Sequence, residues 1–184
     1  MTCTRYVIIF SFILFIFYPF RESKALTIDK SLPQFTLNID DDSSTQKYLG
    51  LKNKKSFSIS HIQAKLILVE VFSLYCPICQ KQAPIANKIY KYIQQNPELS
   101  KDIKVIGIGA GNNQREVGVF RETFRVPFPL FPDPDFVVHK KLGEPRTPTT
   151  ILTTKNGKIL SVHHGVIEDV EGFVLEIKKV HAQQ

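Results

Sequence analysis

One run of the chain, Leu66-Ile67-Leu68-Val69-Glu70-Val71-Phe72, is apolar at every position but one. A run this length, rich in branched side chains, predicts a central strand covered on both faces. Beyond it, Gln80 to Gln95 places Ile85, Ile89, Tyr92 and Ile93 at three- and four-residue steps, the spacing of a helix with one buried face. Asn96-Pro97 is expected to end that helix. Ile103 to Ile108 predicts a second buried strand, Gly109 to Asn113 a loop, and Gln114 to Phe124 another helix. Within the proline-rich stretch from Val126 to Asp135, Phe128-Pro129-Leu130-Phe131 predicts a short strand, and Phe136 to Leu142 a helix.

Thr149 to Thr153 and Ile159 to His163 flank Lys155-Asn156-Gly157-Lys158, and Asn-Gly between two such runs signals a β-hairpin. Glu168 to His181 closes the pattern as an amphipathic helix with Val170, Phe173, Val174, Ile177 and Val180 on one stripe. Ahead of the first buried strand, Leu26 to Ser44 is a polar lead-in holding a strand-like piece, Gln34 to Leu37. Asp40-Asp41-Asp42-Ser43-Ser44 reads as an exposed turn, and Phe57 to Gln63 as a short strand edge with one helical turn. The order predicts an α/β fold, a central mixed β-sheet flanked by helices, in one domain spanning residues 26–184.

Residues 1–25 are patterned differently. Arg5 precedes a nearly unbroken apolar run from Tyr6 to Phe20, and Ser23-Lys24-Ala25 then offers small residues for cleavage. The expectation is a signal peptide or an N-terminal anchor, with an extracytoplasmic (periplasmic or secreted) domain behind it. The run is short against the roughly 20 apolar residues of a membrane-spanning helix, which favours cleavage. Cys3 lies before the run, where it cannot be the lipidated cysteine of a lipoprotein signal.

The composition, 43% hydrophobic and 22% charged, is that of a globular protein. The formal charge is +7, and residues 26–184 alone carry +5, with the lysines scattered. This describes a solvated surface and no nucleic-acid partner.

Three cysteines are present, and Cys3 goes with the leader. Cys76 and Cys79 close almost no chain between them, so a bond there constrains the unfolded state very little. Chemistry explains the pair better than stapling. Cys76 follows a strand and Cys79 falls in the first turn of a helix, where free backbone N–H groups and the helix dipole favour a thiolate. Cys76 is the candidate nucleophile and Cys79 the resolving thiol. Pro77 suits the first helical position, and Ile78 leaves the surrounding surface apolar. A zinc or copper site is the competing use of such a pair, but four zinc ligands are wanted, and His61, His139, His163, His164 and His181 have no spacing that supplies them.

These motifs resemble the thioredoxin superfamily, in its exported TlpA/ResA-type, redoxin-like branch, over about residues 31–181. Pro33-Gln34-Phe35-Thr36-Leu37 resembles the family's opening segment, Tyr75 stands where an aromatic residue precedes the first cysteine, and Pro84 matches the family's helix proline. Arg146-Thr147-Pro148-Thr149-Thr150-Ile151-Leu152 resembles the segment that faces the cysteines, which implies a cis Pro148 and a Thr147 backbone able to hold an extended substrate. The implied substrate surface is Tyr75, Pro77, Ile78, Thr147 and Pro148. Glu70 matches thioredoxin's buried acid by offset. An acid inside a covered strand should be neutral, raised in pKa, or paired; the resemblance makes it the group that takes the Cys79 proton, and the competing reading pairs it with Lys65.

The implied activity is thiol–disulfide exchange on exported proteins with cysteines. The redox-active disulfide Cys76–Cys79 serves in place of any bound cofactor or metal; the pair fits reducing and oxidising relatives alike, and working as a reductant it would need a membrane thiol donor to recharge it. Two other functions fit parts of the chain. A peroxiredoxin-like peroxidase agrees with Ser73 and the Phe128 to Asp135 stretch, but Val69 stands where that branch has proline. A copper chaperone would use the same two sulfurs with a histidine.

Overall fold

The structure, a computed structural model, describes residues 26–39, 42–52 and 54–184. The expectations for residues 1–25, and for Asp40 and Asp41, therefore fall outside the described residues. Five strands form the main sheet in the order β5-β4-β3-β6-β7. These are β3 (Leu66–Phe72), β4 (Ile103–Ala110), β5 (Leu130–Asp133), β6 (Thr149–Thr154) and β7 (Ile159–His164). The first three run parallel, while β6 lies antiparallel to both β3 and β7. A separate pair, β1 (Leu37–Asn38) and β2 (Ser56–Phe57), is antiparallel.

All seven residues of β3 are buried, as its unbroken apolar run requires of a middle strand. Ile67, Val69 and Val71 face the core shared with the N-terminal strand pair, with α1 (Ser43–Leu49) through Leu49, and with α5 (Val137–Lys141) through Val138. Leu66, Leu68 and Phe72 face the other core, packed by α2 (Pro77–Gln95), α4 (Gln114–Phe124) and α6 (Val170–His181). Glu70 takes its place in this second row by the same alternation. Among the described residues, no helix is long and apolar enough to cross a membrane.

Two short helices depart from the sequence expectation. Asp42 does not continue a turn: it accepts hydrogen bonds from the Ser44 and Thr45 amides at 2.9 and 3.3 Å and caps α1. The Ser44 and Thr45 hydroxyls also donate to it, and these bonds hold its carboxyl down at about 2. Asn96 ends α2 as expected but also caps α3 (Pro97–Asp102), accepting from the Glu98 and Leu99 amides. Pro97 takes the first helical position, where no N–H is needed, so it starts a helix as well as following one.

Candidate active site

The polypeptide leaves β3 at Phe72, turns through Ser73-Leu74-Tyr75, and enters α2 with Cys76 as its N-cap residue. The Cys76 amide donates to the Ser73 carbonyl at 3.1 Å, closing the turn. The Cys79 amide donates to the Cys76 sulfur at 3.2 Å, so this sulfur does the work an Asn or Ser oxygen does at most helix starts. Pro77 occupies the first helical position. Both cysteines are free thiols, Cys76 partly exposed and Cys79 buried. Tyr75 and Ile78 flank them with 68% and 50% of their surface open, which makes an apolar rim around a polar sulfur.

The second wall arrives from far along the chain. The Thr147–Pro148 peptide bond is cis, and the Cys76 thiol donates to the Thr147 carbonyl at 3.3 Å. This segment is itself anchored: the Pro148 carbonyl accepts from the Gly165 amide at 2.9 Å, and the Thr149 hydroxyl donates to the Arg146 carbonyl at 2.6 Å. That hydroxyl has one proton to give, so at the 2.8 Å contact between His164 Nδ1 and Thr149 Oγ1 the histidine nitrogen is the donor.

The two thiols are driven apart. Burial works against a Cys76 thiolate, but the Cys79 thiol, the Thr147 side chain and the Cys79 and Ile78 backbone amides together outweigh it, and the Cys76 pKa falls below the usual thiol value. Burial, helped by the bond to Cys76, pushes the Cys79 thiol up to about 12, against the pull of the Ser73 amide and the Thr147 side chain. The exposed sulfur is thus the readier anion.

Glu70 lies under the start of α2, on the sheet face that also packs Cys79 and Ala83. Its Oε2 accepts from the hydroxyl of Thr150, its direct cross-strand neighbour, at 2.6 Å, while its Oε1 has no hydrogen-bond partner. Burial raises its pKa to about 7, against the pull of the Thr150 hydroxyl and of the nearby Gln82 side-chain amide, whose geometry falls short of a hydrogen bond. Gln82 is itself buried. Its Oε1 accepts from the Ile167 amide at 3.0 Å, and its Nε2 is left without a partner. Lys65, the alternative partner for Glu70, pairs instead with Asp102 at 2.9 Å. Among the described residues no hydrogen bond joins Glu70 to either cysteine, and no group of three or more His, Cys, Asp or Glu side chains is arranged to hold a metal ion.

Cys76, Cys79, Thr147 and Pro148 therefore meet, with Tyr75, Pro77 and Ile78 around them. Three residues to which the sequence assigned no role also belong to the site: Thr150, Gln82 and Asn112. Asn112 is completely buried at the end of β4, and its side chain accepts from the Leu74 amide at 2.8 Å. Of this group only the Asn113-to-Glu116 capping box beside Asn112 leaves a local trace in the sequence.

Several known proteins of similar sequence or fold are named thiol-disulfide oxidoreductases. A thiol-disulfide oxidoreductase ResA from Halalkalibacterium halodurans is 28% identical over 127 residues, covering 67% of this chain and 69% of the relative. A ResA from Geobacillus thermodenitrificans is 23% identical over 161 residues, covering 86% and 83%. Among solved structures, the thioredoxin domain of a thiol-disulfide oxidoreductase from Bacteroides vulgatus superposes with a TM-score of 0.59 at 20% identity, covering 82% of this chain and 99% of that one. A secreted disulfide oxidoreductase from Mycobacterium tuberculosis gives 0.58 at 15% identity, covering 79% and 96%. The Redoxin family profile matches residues 27–174. With that match over most of its length, the chain belongs to the Redoxin family, as a thioredoxin-like thiol–disulfide oxidoreductase.

Proposed function

We propose that the chain works outside the cytoplasm on disulfides of exported proteins, with Cys76 as nucleophile and Cys79 as resolving thiol. The single observation that carries this reading is the contact of a half-exposed, thiolate-favouring Cys76 sulfur with the Thr147 carbonyl next to Pro148. An extended substrate lying along Thr147 would present its disulfide to that sulfur. Tyr75, Ile78 and Pro77 supply apolar contact on the other side.

In the direction of reduction, the Cys76 thiolate attacks one substrate sulfur. A Cys76–substrate bond forms, the substrate S–S bond breaks, and the departing sulfur takes up a proton. Cys79 then loses its proton and attacks Cys76. The Cys76–Cys79 bond forms, the second substrate sulfur leaves and is protonated, and two electrons have passed to the substrate. A membrane dithiol donor returns the pair to its reduced form. Glu70 is the acceptor for the Cys79 proton: it is a buried carboxyl near neutrality with one oxygen free, on the face where Cys79 packs. The extracytoplasmic setting is supported by the leader-like pattern of residues 1–25.

The test is trapping. Cys79→Ala, produced in the exported compartment, should accumulate exported proteins joined to Cys76 by bonds that dithiothreitol releases. If Cys76 is recovered unmodified there, the assignment fails. Glu70→Gln in the same assay should slow release of substrate from Cys76 without slowing its capture.

A further inference from the structure

Two hydrogen bonds tie α2 and its cap to residues 145–169, and the reaction treats them differently. The Cys76 thiol donates to the Thr147 carbonyl at 3.3 Å. That bond needs the S–H, so it is released when Cys76 ionises and stays released while Cys76 is bonded to a substrate sulfur. The second bond is indifferent to the state of the sulfur. Further along the helix, Gln82 is buried with 1% of its surface open, and its Oε1 accepts from the Ile167 amide at 3.0 Å. Ile167 follows β7 in the loop whose Gly165 amide donates to the Pro148 carbonyl at 2.9 Å. His163 Nε2 donates to the Val166 carbonyl between them at 3.0 Å. One short, braced segment thus holds the helix through Gln82 and the wall of the site through Pro148.

We propose that Gln82 is a positioning residue for substrate: through Ile167 and Gly165 it keeps the Thr147–Pro148 wall at its working distance from Cys76 once the Cys76–Thr147 bond is released. The inference rests on the dithiol reading above and deepens it, because the freed Thr147 carbonyl is then the acceptor for a backbone N–H of an extended substrate. A substrate held in that way needs the wall in place. A small disulfide that reaches Cys76 without lying along Thr147 does not. The Ile167 side chain is buried in the core that also packs Cys79 and Ala83, so loss of the Gln82 acceptor shifts the loop without detaching it. The Ile167 amide, left unpaired, moves towards another acceptor and takes the wall with it.

The experiment compares two oxidants of the reduced full chain: a disulfide-linked pair of short, unstructured peptides, and hydroxyethyl disulfide, which has no peptide backbone. In Gln82→Met the peptide rate should fall about tenfold relative to the hydroxyethyl disulfide rate, the scale of one buried hydrogen bond left unmade. Gln82→Glu keeps a carboxyl oxygen for the Ile167 amide in either charge state and should restore most of the ratio. Shifted thiol reactivity or partial unfolding changes both rates together and leaves the ratio where it was. An unchanged ratio in Gln82→Met would overturn the proposal, as would a fallen ratio that Gln82→Glu does not restore. If Gln82→Met does not fold, amide hydrogen exchange in Cys76→Ala decides. The Ile167 amide should stay protected there, since its bond does not depend on the sulfur, and loss of that protection would overturn the proposal. A wild-type chain that the peptide disulfide fails to oxidise would instead overturn the dithiol reading itself.

Discussion

Strands β3 and β4 lie side by side, and their two ends treat polar groups in opposite ways. Where they begin, Lys65 Nζ and His181 Nε2 both reach Asp102 Oδ2 at 2.9 Å, and the Lys65 amide donates to the Asp102 carbonyl at 2.8 Å. Each group is matched, and the cluster ties α6 to the end of the sheet where β3 and β4 begin. Where they end, the matching is incomplete. Glu70 and Gln82 each keep one buried polar atom without a hydrogen bond, and a cysteine sulfur caps a helix. Buried polar groups left unpaired are costly, and such groups cluster where a protein does chemistry. The beginning of the strand pair is built for stability and the end for reactivity.

The sharpest way to break this contrast is to remove the nucleophile. Cys76→Ser should lose essentially all disulfide exchange, because a serine hydroxyl at neutral pH offers no thiolate. A urea titration should show nearly the wild-type midpoint, since a hydroxyl oxygen caps a helix at least as well as sulfur. Retained exchange activity would move the chemistry elsewhere in the chain.

Glu70→Gln carries the next largest effect, on stability. With its carboxyl raised from 4.5 to about 7, the folded state holds a proton that the unfolded chain releases earlier. Stability is thus full below the unfolded value, falls as pH rises from 4.5 towards 7, and is level above that. At about 1.4 kcal/mol per pH unit the loss amounts to ~3 kcal/mol. Urea unfolding of reduced protein should find the variant close to wild type at pH 4 and more stable at pH 8. Equal gaps at both would show that Glu70 is not buried as a titrating acid.

At the matched end the sign reverses. His181 and Lys65 hold the Asp102 carboxyl below its usual range, so its contribution is present at neutral pH and disappears as pH falls through that lowered value. Asp102→Asn should cost about 1 kcal/mol at pH 7, the scale of a partly exposed ion-pair network, and nothing once the wild-type carboxyl is protonated. Exchange activity should not change. A loss of activity would mean the two ends of the strands are coupled.

What could be read from the sequence at each end follows from the range of the interactions. Strand β3, the cysteine pair at the helix start and the proline segment before β6 are local signals: an apolar run, a spacing, a dipeptide. Asn112 and Leu74 lie 38 residues apart, and Gln82 and Ile167 lie 85 apart. No window of sequence contains both partners, so an asparagine in a loop and a glutamine in a helix look like ordinary polar positions. Glu70 was visible as an anomaly, but its hydroxyl partner Thr150 was not, because that pairing depends on the register of β6 against β3. The helices α1 and α3 were obscured for a different reason. Asp42 and Asn96-Pro97 are residues that serve turns and helix starts alike, and only the amides they accept from tell the two apart.

The smallest expected effect sits on the outer part of the reactive end. Tyr75 and Glu116 form an exposed hydrogen bond beside the buried Asn112. That bond raises the Tyr75 phenol above its ordinary value and lowers the Glu116 carboxyl, so the pair stays intact from mildly acidic to mildly alkaline solution. Exposed pairs contribute little, and Glu116→Gln should change the rate of oxidation by the peptide disulfide by less than about twofold. It should nevertheless return the Tyr75 phenol towards its usual titration range, measured by difference absorbance against Tyr75→Phe. Were Glu116→Gln to slow that oxidation as much as loss of Gln82, the site would be held from its exposed side, and burial would not be what separates a positioning contact from an incidental one.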